Sequence, residues 1–559
     1  MSQDVEIISF CLHTYLFVYL NKKNVYPLSS SMRRWRRIFQ VNSSKKDNNN
    51  DPSQPTANST KDLLNPSLSK NIQTIKRTVD NSNDIIIREV TIGKSEKHPI
   101  AIIYTDGLAD QTAITDYIME FLMLDINGPL ENKYYAVNQY LKDACLTIGD
   151  VNDVEDFTGL FRAIMNGVTV ILLDGVSKGI STSTKSSKDR AITEPTTESV
   201  IRGPKEAFTE TLRTNTALIR RKIKNQNLWI KSRVIGKVTQ TDIAVMYING
   251  IADEKIVNEV LKRLDNIDID GILESGYIEA LIQDSKYTIF PTIYNSERPD
   301  VIAAELLEGK IAIFVDGTPF VLIVPALFTS FLQSSEDYYQ NFIISSLIRL
   351  LRFFGITISL IVPSLYVSIT TFHQEMLPTP MLISLASQRE GVPFPAVIEA
   401  LIMELAFEIL REAGLRMPRT IGPAISIVGT LVIGQAAVEA GIVSSVMVII
   451  VSLTAICSFL FPAYGLSNTI RVLRFPLMIL AAGFGLFGVM IGVMALILHL
   501  CSLRSFGVPY MSPFAPIIPD DQKDAILLFP RGSLLTRPRL VNQINNTRGH
   551  KPRNKKNNI

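Results

Sequence analysis

Glu404, Glu408 and Glu412 stand four residues apart in a largely apolar run, Pro395 to Leu415, that also carries Glu399 and Arg411. That spacing puts the three carboxylates on one face of a helix. In an assembly of several copies such stripes form rings of negative charge that attract cations. The same stripe also suits an amphipathic helix lying on a membrane surface, which needs no pore, and the residues alone favour that second use. Enzyme chemistry has less to stand on. The five histidines are scattered, and no Gly-x-Ser-x-Gly or Gly-x-x-x-x-Gly-Lys-Ser/Thr loop occurs. No catalytic, cofactor or metal site is expected. The four cysteines, Cys11, Cys145, Cys457 and Cys501, contain no Cys-x-x-Cys and support neither a disulfide framework nor a zinc site. The run from Gly483 to Gly488, GFGLFG, formally matches a dinucleotide fingerprint. No strand precedes it and apolar helix surrounds it, so helix packing explains these glycines better.

The elements that must position the carboxylates are apolar. Phe353 to Phe372, Ile421 to Glu439, Gly441 to Pro462 and Phe475 to Cys501 are each long enough to span a bilayer, which takes about 20 residues. Val321 to Leu332, with Pro325, reads as re-entrant or interfacial. Arg349 and Arg352 place the start of the first span on the cytoplasmic side. Arg416, Arg419, Arg471 and Arg474 fall inside or outside according to whether Pro395 to Leu415 crosses. A re-entrant element reconciles the two, with both ends cytoplasmic and four to six membrane segments in all.

Ahead of this lies a region of ordinary soluble composition in a chain of 559 residues with a net charge of +3, so no global case for nucleic acid exists. Basic residues gather at the ends, from Arg33 to Lys46 and from Arg531 to Lys556, where they read as cytoplasmic and attracted to anionic membrane lipid, or as solvated tails. Ile7 to Leu20 is too short to span, follows an acidic start unlike a signal peptide, and points to Met32 as the true first residue. Residues 41–70, rich in Asn, Ser, Lys, Asp and Pro, read as a linker. Ile85 to Val90, Ile100 to Tyr104 and Val168 to Leu173 look like strands, and Ala113 to Leu124 like a helix, giving an α/β layer. A repeat follows. Ala101 to Asp110 (AIIYTDGLAD) matches Ala244 to Asp253 (AVMYINGIAD) at an offset of 143, and Ile171 to Gly175 matches Ile313 to Gly317 at 142. The Asp-Gly and Asn-Gly pairs are turn signals. A helix is read through Leu212 to Arg221, with Gly203-Pro204 as a start signal and Glu206 suited to a first helical turn; Arg213, Arg220 and Lys224 face either an acidic partner or solvent. The organisation expected is a basic extension and linker at 1–70, α/β subdomains at 71–185 and 190–335, a helical membrane domain at 336–510 and a basic cytoplasmic tail at 511–559.

Several runs carry a resemblance. They are Gly203 to Arg221 (GPKEAFTETLRTNTALIRR), Gly271 to Glu279 (GILESGYIE), Glu297 to Asp300 (ERPD), Asp316 to Pro325 (DGTPFVLIVP), Arg389 to Pro395 (REGVPFP), Ala424 to Gly429 (AISIVG) and Ser505 to Tyr510 (SFGVPY). Over roughly residues 71–520 the chain resembles the A subunit of GerA-type spore germinant receptors. The resemblance implies a cytoplasmic pair of α/β subdomains and a helical domain in the spore inner membrane. It also implies a transporter-like B subunit, a lipoprotein C subunit, and self-assembly into a nutrient-gated cation channel. It extends to a related protein encoded with spore dipicolinate-transport genes. On that reading the candidate pore or gating positions are Glu404, Glu408, Ser444, Ser445 and Val446, with ordinary helix packing as the alternative for the last three. A secondary transporter is the rival class; no inverted repeat within 342–501 supports it. The tail after Lys523 lacks the tryptophans common in the family, and residues 1–31 have no counterpart there.

Overall fold

The computed structural model describes residues 62–92, 98–120, 150–185, 194–416, 434–541 and 545–549. The expectations for Ile7 to Leu20, Met32, the Arg33 to Lys46 cluster and most of Ile421 to Glu439 lie outside the described residues.

The repeat seen in the sequence is a repeat of fold. Helix α1 (Leu68–Thr78) leads into a sheet of β1 (Ile85–Ile92), β2 (His98–Thr105), β3 (Val151–Val154), β4 (Thr169–Leu173) and β5 (Gly179–Thr182), with α2 (Phe157–Ile164) between β3 and β4. The strand order is β1-β2-β4-β5-β3, and every pair is antiparallel. The second copy comprises α3 (Leu212–Lys222), β6 (Leu228–Ile235), β7 (Thr241–Ile248), α4 (Glu254–Asp265), α5 (Ser275–Ile282), β8 (Tyr294–Ser296), α6 (Pro299–Leu307), β9 (Ile311–Val315) and β10 (Val321–Val324). Its order, β6-β7-β9-β10-β8, is the same, and also antiparallel throughout. Central strands such as Ile100 to Tyr104 are apolar at every position because both faces of the sheet are covered.

The Asp-Gly turns have a structural task. Ser67 and Thr211 stand at the N-caps of α1 and α3 without a capping side-chain bond. Asp174 supplies it for α1, accepting from Leu68 N–H at 2.9 Å, and Asp316 supplies it for α3, accepting from Leu212 N–H at 2.9 Å. Gly175 and Gly317, at φ 85° and 87°, turn the chain so that their own N–H groups reach Pro66 O and Glu210 O, each at 2.8 Å. Helix α3 begins later than Gly203-Pro204 suggests. Phe208 N–H donates to Glu297 O at 2.8 Å, a tertiary bond that overrides the local start signal.

Arg213, Arg220 and Lys224 face the first subdomain of their own chain. Arg220 is 1% exposed and forks onto Asp84 at 2.7 and 3.1 Å. Ser82 Oγ accepts from Arg220 and from Ile230 N–H of β6. Arg213 meets Asp106 at 2.8 Å, and Lys224 donates to Asn166.

Val321 to Leu332 is no membrane element. Val321–Val324 is β10, buried between β9 and β8. The helical part starts after it: α7 (Phe342–Phe372), α8 (Thr379–Arg389), α9 (Ala396–Arg416), α10 (Gly434–Glu439), α11 (Ser445–Ser458) and α12 (Tyr464–Ser502). Among the described residues, α7 and α12 are long and apolar enough to cross a membrane. The single span expected over Phe475 to Cys501 is a hairpin instead. Gly485, at φ 60° and ψ −144°, reverses α12. A Cβ on Gly488 would overlap Leu480 O, and one on Gly492 would overlap the Leu477 side chain. In a straight helix Leu477 and Gly492 would stand about 22 Å apart, so the two arms of α12 run antiparallel. The tip of the hairpin meets His373, just beyond α7.

Both ends of the helical part rest on the second sheet. At the start of α7, Asp337 takes Arg349 at 3.0 Å and Arg352 at 2.7 Å. After α12 the hairpin β11 (Arg504–Ser505) and β12 (Val508–Pro509) returns to that sheet, where Ser505 Oγ donates to Thr292 O and accepts from Ala326 N–H. The basic tail folds on as well. Arg537 donates to Leu307 O, Arg531 to Tyr338 O, Arg539 pairs with Asp520, and Arg548 with Glu308. These four arginines meet protein groups rather than lying in a solvated tail.

Edge strand β8 is held by two carboxyl groups that burial pushes up to about 7: Glu198, which accepts from Ser296 Oγ at 2.6 Å, and Glu279, partnered by Asn295. Their folded values exceed the ordinary 4.5, so the stability they contribute is complete below that pH and is lost as pH rises through 7. Hydrogen exchange at Tyr294–Ser296, divided by the intrinsic rate of the free amide at each pH, is therefore expected to quicken between pH 4.5 and about 7, and Glu198→Gln with Glu279→Gln to flatten that dependence. Arg220→Met, which strands the buried Asp84, should cost about 3–5 kcal/mol, and adding Asp84→Asn should recover much of it. Equilibrium unfolding followed by Trp229 fluorescence, whose indole N–H donates to Thr78 O across the same joint, measures both.

Candidate functional site

Helix α9 carries Glu399, Glu404 and Glu408 inward, whereas Glu412, expected on the same face, is exposed and pairs with Arg416. Glu399 and Glu404 are 0% and 1% exposed, while Leu405 and Ile409 are 58% and 61% exposed. A helix lying on a membrane surface has the opposite arrangement, with its charged face to water. An apolar exterior around polar pairs is the pattern of a helix inside a lipid-embedded bundle.

The inward acids make three tiers. At the level of the bundle tip, Glu399 accepts from Ser444 N–H at 2.6 Å and from the Ser444 hydroxyl, with Arg389 of α8 at 3.8 Å. In the middle, Glu404 pairs with Arg474 of the first arm of α12, itself 1% exposed. Arg474 also donates to Ser359 Oγ of α7 at 2.8 Å and to Thr454 Oγ1 of α11 at 3.3 Å, so four helices meet at this guanidinium. Towards the second sheet, Glu408 takes Arg471 at 3.2 Å and Arg411 at 3.8 Å, and Arg471 continues to Asn468. Helix α9 and the first arm of α12 are antiparallel here: going from Glu404 to Glu408 takes the partner from Arg474 back to Arg471.

The tiers are incompletely satisfied. Among the described residues, Glu404 Oε1, Glu408 Oε1, Glu399 Oε2, Arg471 Nε and Arg474 Nε are buried without a hydrogen-bond partner. Buried polar atoms left in this way destabilise the arrangement that strands them.

The sequence-predicted positions fall as follows. Glu404 and Glu408 sit in the middle and lower tiers. Ser444 is buried, caps α11 by accepting from Met447 N–H, and joins the upper tier. Ser445 is half-buried and donates to Gln388 of α8. Val446 is half-buried in the apolar cluster of Met447, Met478 and Ala481. No hydrogen bond among the described residues links Glu404 or Glu408 to Ser444, Ser445 or Val446. Sequence reasoning missed Glu399, Arg471, Arg474, Ser359 and Thr454 as partners. It read Arg471 and Arg474 only as markers of sidedness, although acids four apart and arginines three apart on two apolar helices were a pairing signal.

A family model described as Bacillus/Clostridium GerA spore germination protein matches residues 73–540. Spore germination protein KA of Bacillus subtilis (strain 168) is 52% identical over 481 residues, 86% of this chain and 88% of that one. The uncharacterized membrane protein YfkQ of the same organism is 44% identical over 499 residues, 89% of this chain and 96% of that one. The solved N-terminal domain of the A subunit of the Bacillus megaterium spore germinant receptor GerK3 is 45% identical. It covers 48% of this chain and 98% of its own, with a TM-score of 0.40.

The middle tier makes a sharp expectation. Glu404→Gln or Arg474→Met alone leaves one buried charge unmet and should cost about 3–5 kcal/mol. Replacing both together should cost far less than the sum of the two. Thermal unfolding of the four proteins in detergent gives the coupling directly, and additive losses would mean that the pair does not interact.

Proposed function

Because the chain belongs to the GerA family of spore germination proteins, we propose that it is the A subunit of a nutrient germinant receptor in the spore inner membrane, where copies of it assemble into a cation channel whose opening starts germination. A transporter-like B subunit and a lipoprotein C subunit complete the receptor, and both termini lie on the cytoplasmic side. No enzymatic step is assigned to it.

The observation that carries this reading is the three-tier ladder of acid–base contacts inside an apolar bundle. Ionisable groups at membrane depth are costly and mark paths for ions or moving elements. In the closed arrangement Glu404–Arg474 and Glu408–Arg471 hold α9 against the first arm of α12 and neutralise the carboxylates. Opening parts these contacts and turns the carboxylates towards the ion path, beside Ser444, Ser445 and Val446 at the start of α11. Nutrient acts from the partner subunit by binding the open arrangement better. The magnitudes agree. Moving a two-state equilibrium from 1:99 to 99:1 takes about 5.5 kcal/mol. Stranding one buried charge costs about 3–5 kcal/mol, so one tier supplies most of that shift and two exceed it. Two features support transmission to the soluble part. Arg349 and Arg352 tie the start of α7 to Asp337. Phe461, Leu466 and Ile470 share one buried cluster with Ile219, Ile302 and Phe314 of the second subdomain.

The test is ion flux through the receptor reconstituted in vesicles with its partner subunits. Glu404→Gln together with Glu408→Gln is expected to raise flux in the absence of nutrient and to reduce preference for cations over anions. Unchanged flux and selectivity would remove these carboxylates from the pathway.

A further inference from the structure

We infer that the loop Lys286–Ile289 of the second α/β subdomain is seated in the phospholipid headgroup layer and anchors that subdomain to the membrane surface. The inference rests on the reading that α7 and α12 cross a bilayer.

Both arms of α12 are fastened to this loop. Thr469, early in the first arm, donates its hydroxyl to Ile289 O at 2.8 Å. His499, at the end of the second arm, shares a hydrogen bond with Thr288 Oγ1 at 3.0 Å, and its ring lies 6.0 Å from that of Phe290. Gly465 packs against Pro291. The loop therefore stands at the depth where both arms meet the soluble part. Among the described residues, the side chains of Lys286 and Tyr287 make no hydrogen bond or ion pair. Tyr287 is 99% exposed and Ile289 is also exposed, whereas Phe290 between Ile289 and Pro291 is buried in the core.

What lies next to the loop identifies its occupant. Within a turn and a half of Thr469 and His499 the outward faces of the hairpin are already apolar: Val472 on the first arm, Met494 and Leu498 on the second, all exposed. Going back along the chain from Ile289, which adjoins the arms, come the exposed aromatic Tyr287 and the exposed cation Lys286. Apolar, then aromatic, then cationic is the order of side chains met on leaving a bilayer core. A tyrosine there keeps its ring beside the first methylenes of the acyl chains and its hydroxyl at the headgroups. A lysine reaches on to lipid phosphate while its methylene stem stays in the apolar edge. A water-facing loop would need none of this, and a protein partner would not require the sequence to follow depth.

The full chain carrying Tyr287→Trp, reconstituted in vesicles of phosphatidylcholine and phosphatidylglycerol, tests the assignment. Wild-type protein, which has two tryptophans of its own, is subtracted. The added indole is expected to emit to the blue of a water-exposed one. It should lose more intensity to lipids brominated near the headgroup than to lipids brominated near the chain end, and Ile289→Trp should be quenched somewhat deeper. Water-like, unquenched emission from protein that floats with the vesicles would overturn the anchor while leaving the membrane crossing intact. Blue but lipid-insensitive emission would also overturn it, by showing a protein neighbour in place of lipid. Wild-type protein that fails to float with vesicles would sink the membrane crossing and the anchor together.

Discussion

A charge carried into an apolar interior has to be met there, and the Glu404–Arg474 contact is where this chain obeys that constraint most strictly. Both groups are almost wholly removed from solvent. Neither can be relocated or neutralised without stranding the other, and the cost of a stranded buried charge rivals a large share of the stability of a whole domain. This contact fixes the height of α9 against the first arm of α12, brings Ser359 and Thr454 in from two further helices, and turns the apolar side of α9 outward. The contact is therefore better understood as specifying one arrangement than as adding stability, because an apolar pair of similar size would hold the helices at least as well.

The duplicated α/β unit shows how such an arrangement can be reached from outside the bundle. The first sheet has both faces covered by elements of the soluble region itself, α1 and α2 on one side and Ile114 and Ile118 on the other. The second sheet has one face covered by α4 and α5. Its other face packs on α3, α6 and the lower ends of the helices, through Phe461, Leu466, Ile470 and Leu503. A helix pair resting on a sheet face through a close-packed core cannot tilt without that core repacking. The first subdomain is in turn locked to the second through Arg220, Asp84 and Ser82. A displacement of the soluble pair is thereby delivered to the feet of α12 in few steps.

How much of this could be read in the residues alone depended on whether the deciding contact was local. The strands and the repeat were legible, because a sheet covered on both faces needs runs such as Ile100 to Tyr104 and because both copies keep the Asp-Gly turn that caps their first helix. Val321 to Val324 was misread as a membrane-edge element, since a buried central strand is a short apolar run that hydropathy cannot separate from an interfacial one. The reversal at Gly485 was hidden among glycines that equally suit close helix packing. The start of α3 was missed because a backbone bond to Glu297, far along the chain, decides it. The tail looked solvated because its arginines find their partners, Leu307 O and Glu308 among them, in another part of the sequence. The carboxylate stripe was seen, but its inward direction depends on Arg474, Arg471 and Ser444, which no local pattern brings to it.

The spacing of the tiers bears on what kind of motion the bundle allows. The acids of α9 are four residues apart and the arginines of α12 three, on antiparallel helices, so each matches about one turn of the other. A slide of α9 by one turn, about 5.4 Å, keeps both arginines met in one direction only. In that direction Glu408 arrives opposite Arg474 and Glu412 opposite Arg471, and Glu404 is released. In the other, Glu404 arrives opposite Arg471 but Arg474 faces Ala400 and is stripped of its partner. Half a turn leaves both arginines between carboxylates and pays for two unmet charges at once. An interior built in this way has paired arrangements separated by a barrier, not a continuum of loosened ones. On the proposed reading, that makes the response to nutrient a step, with the atoms already unpartnered at Glu404 and Arg474 keeping the two arrangements close in free energy.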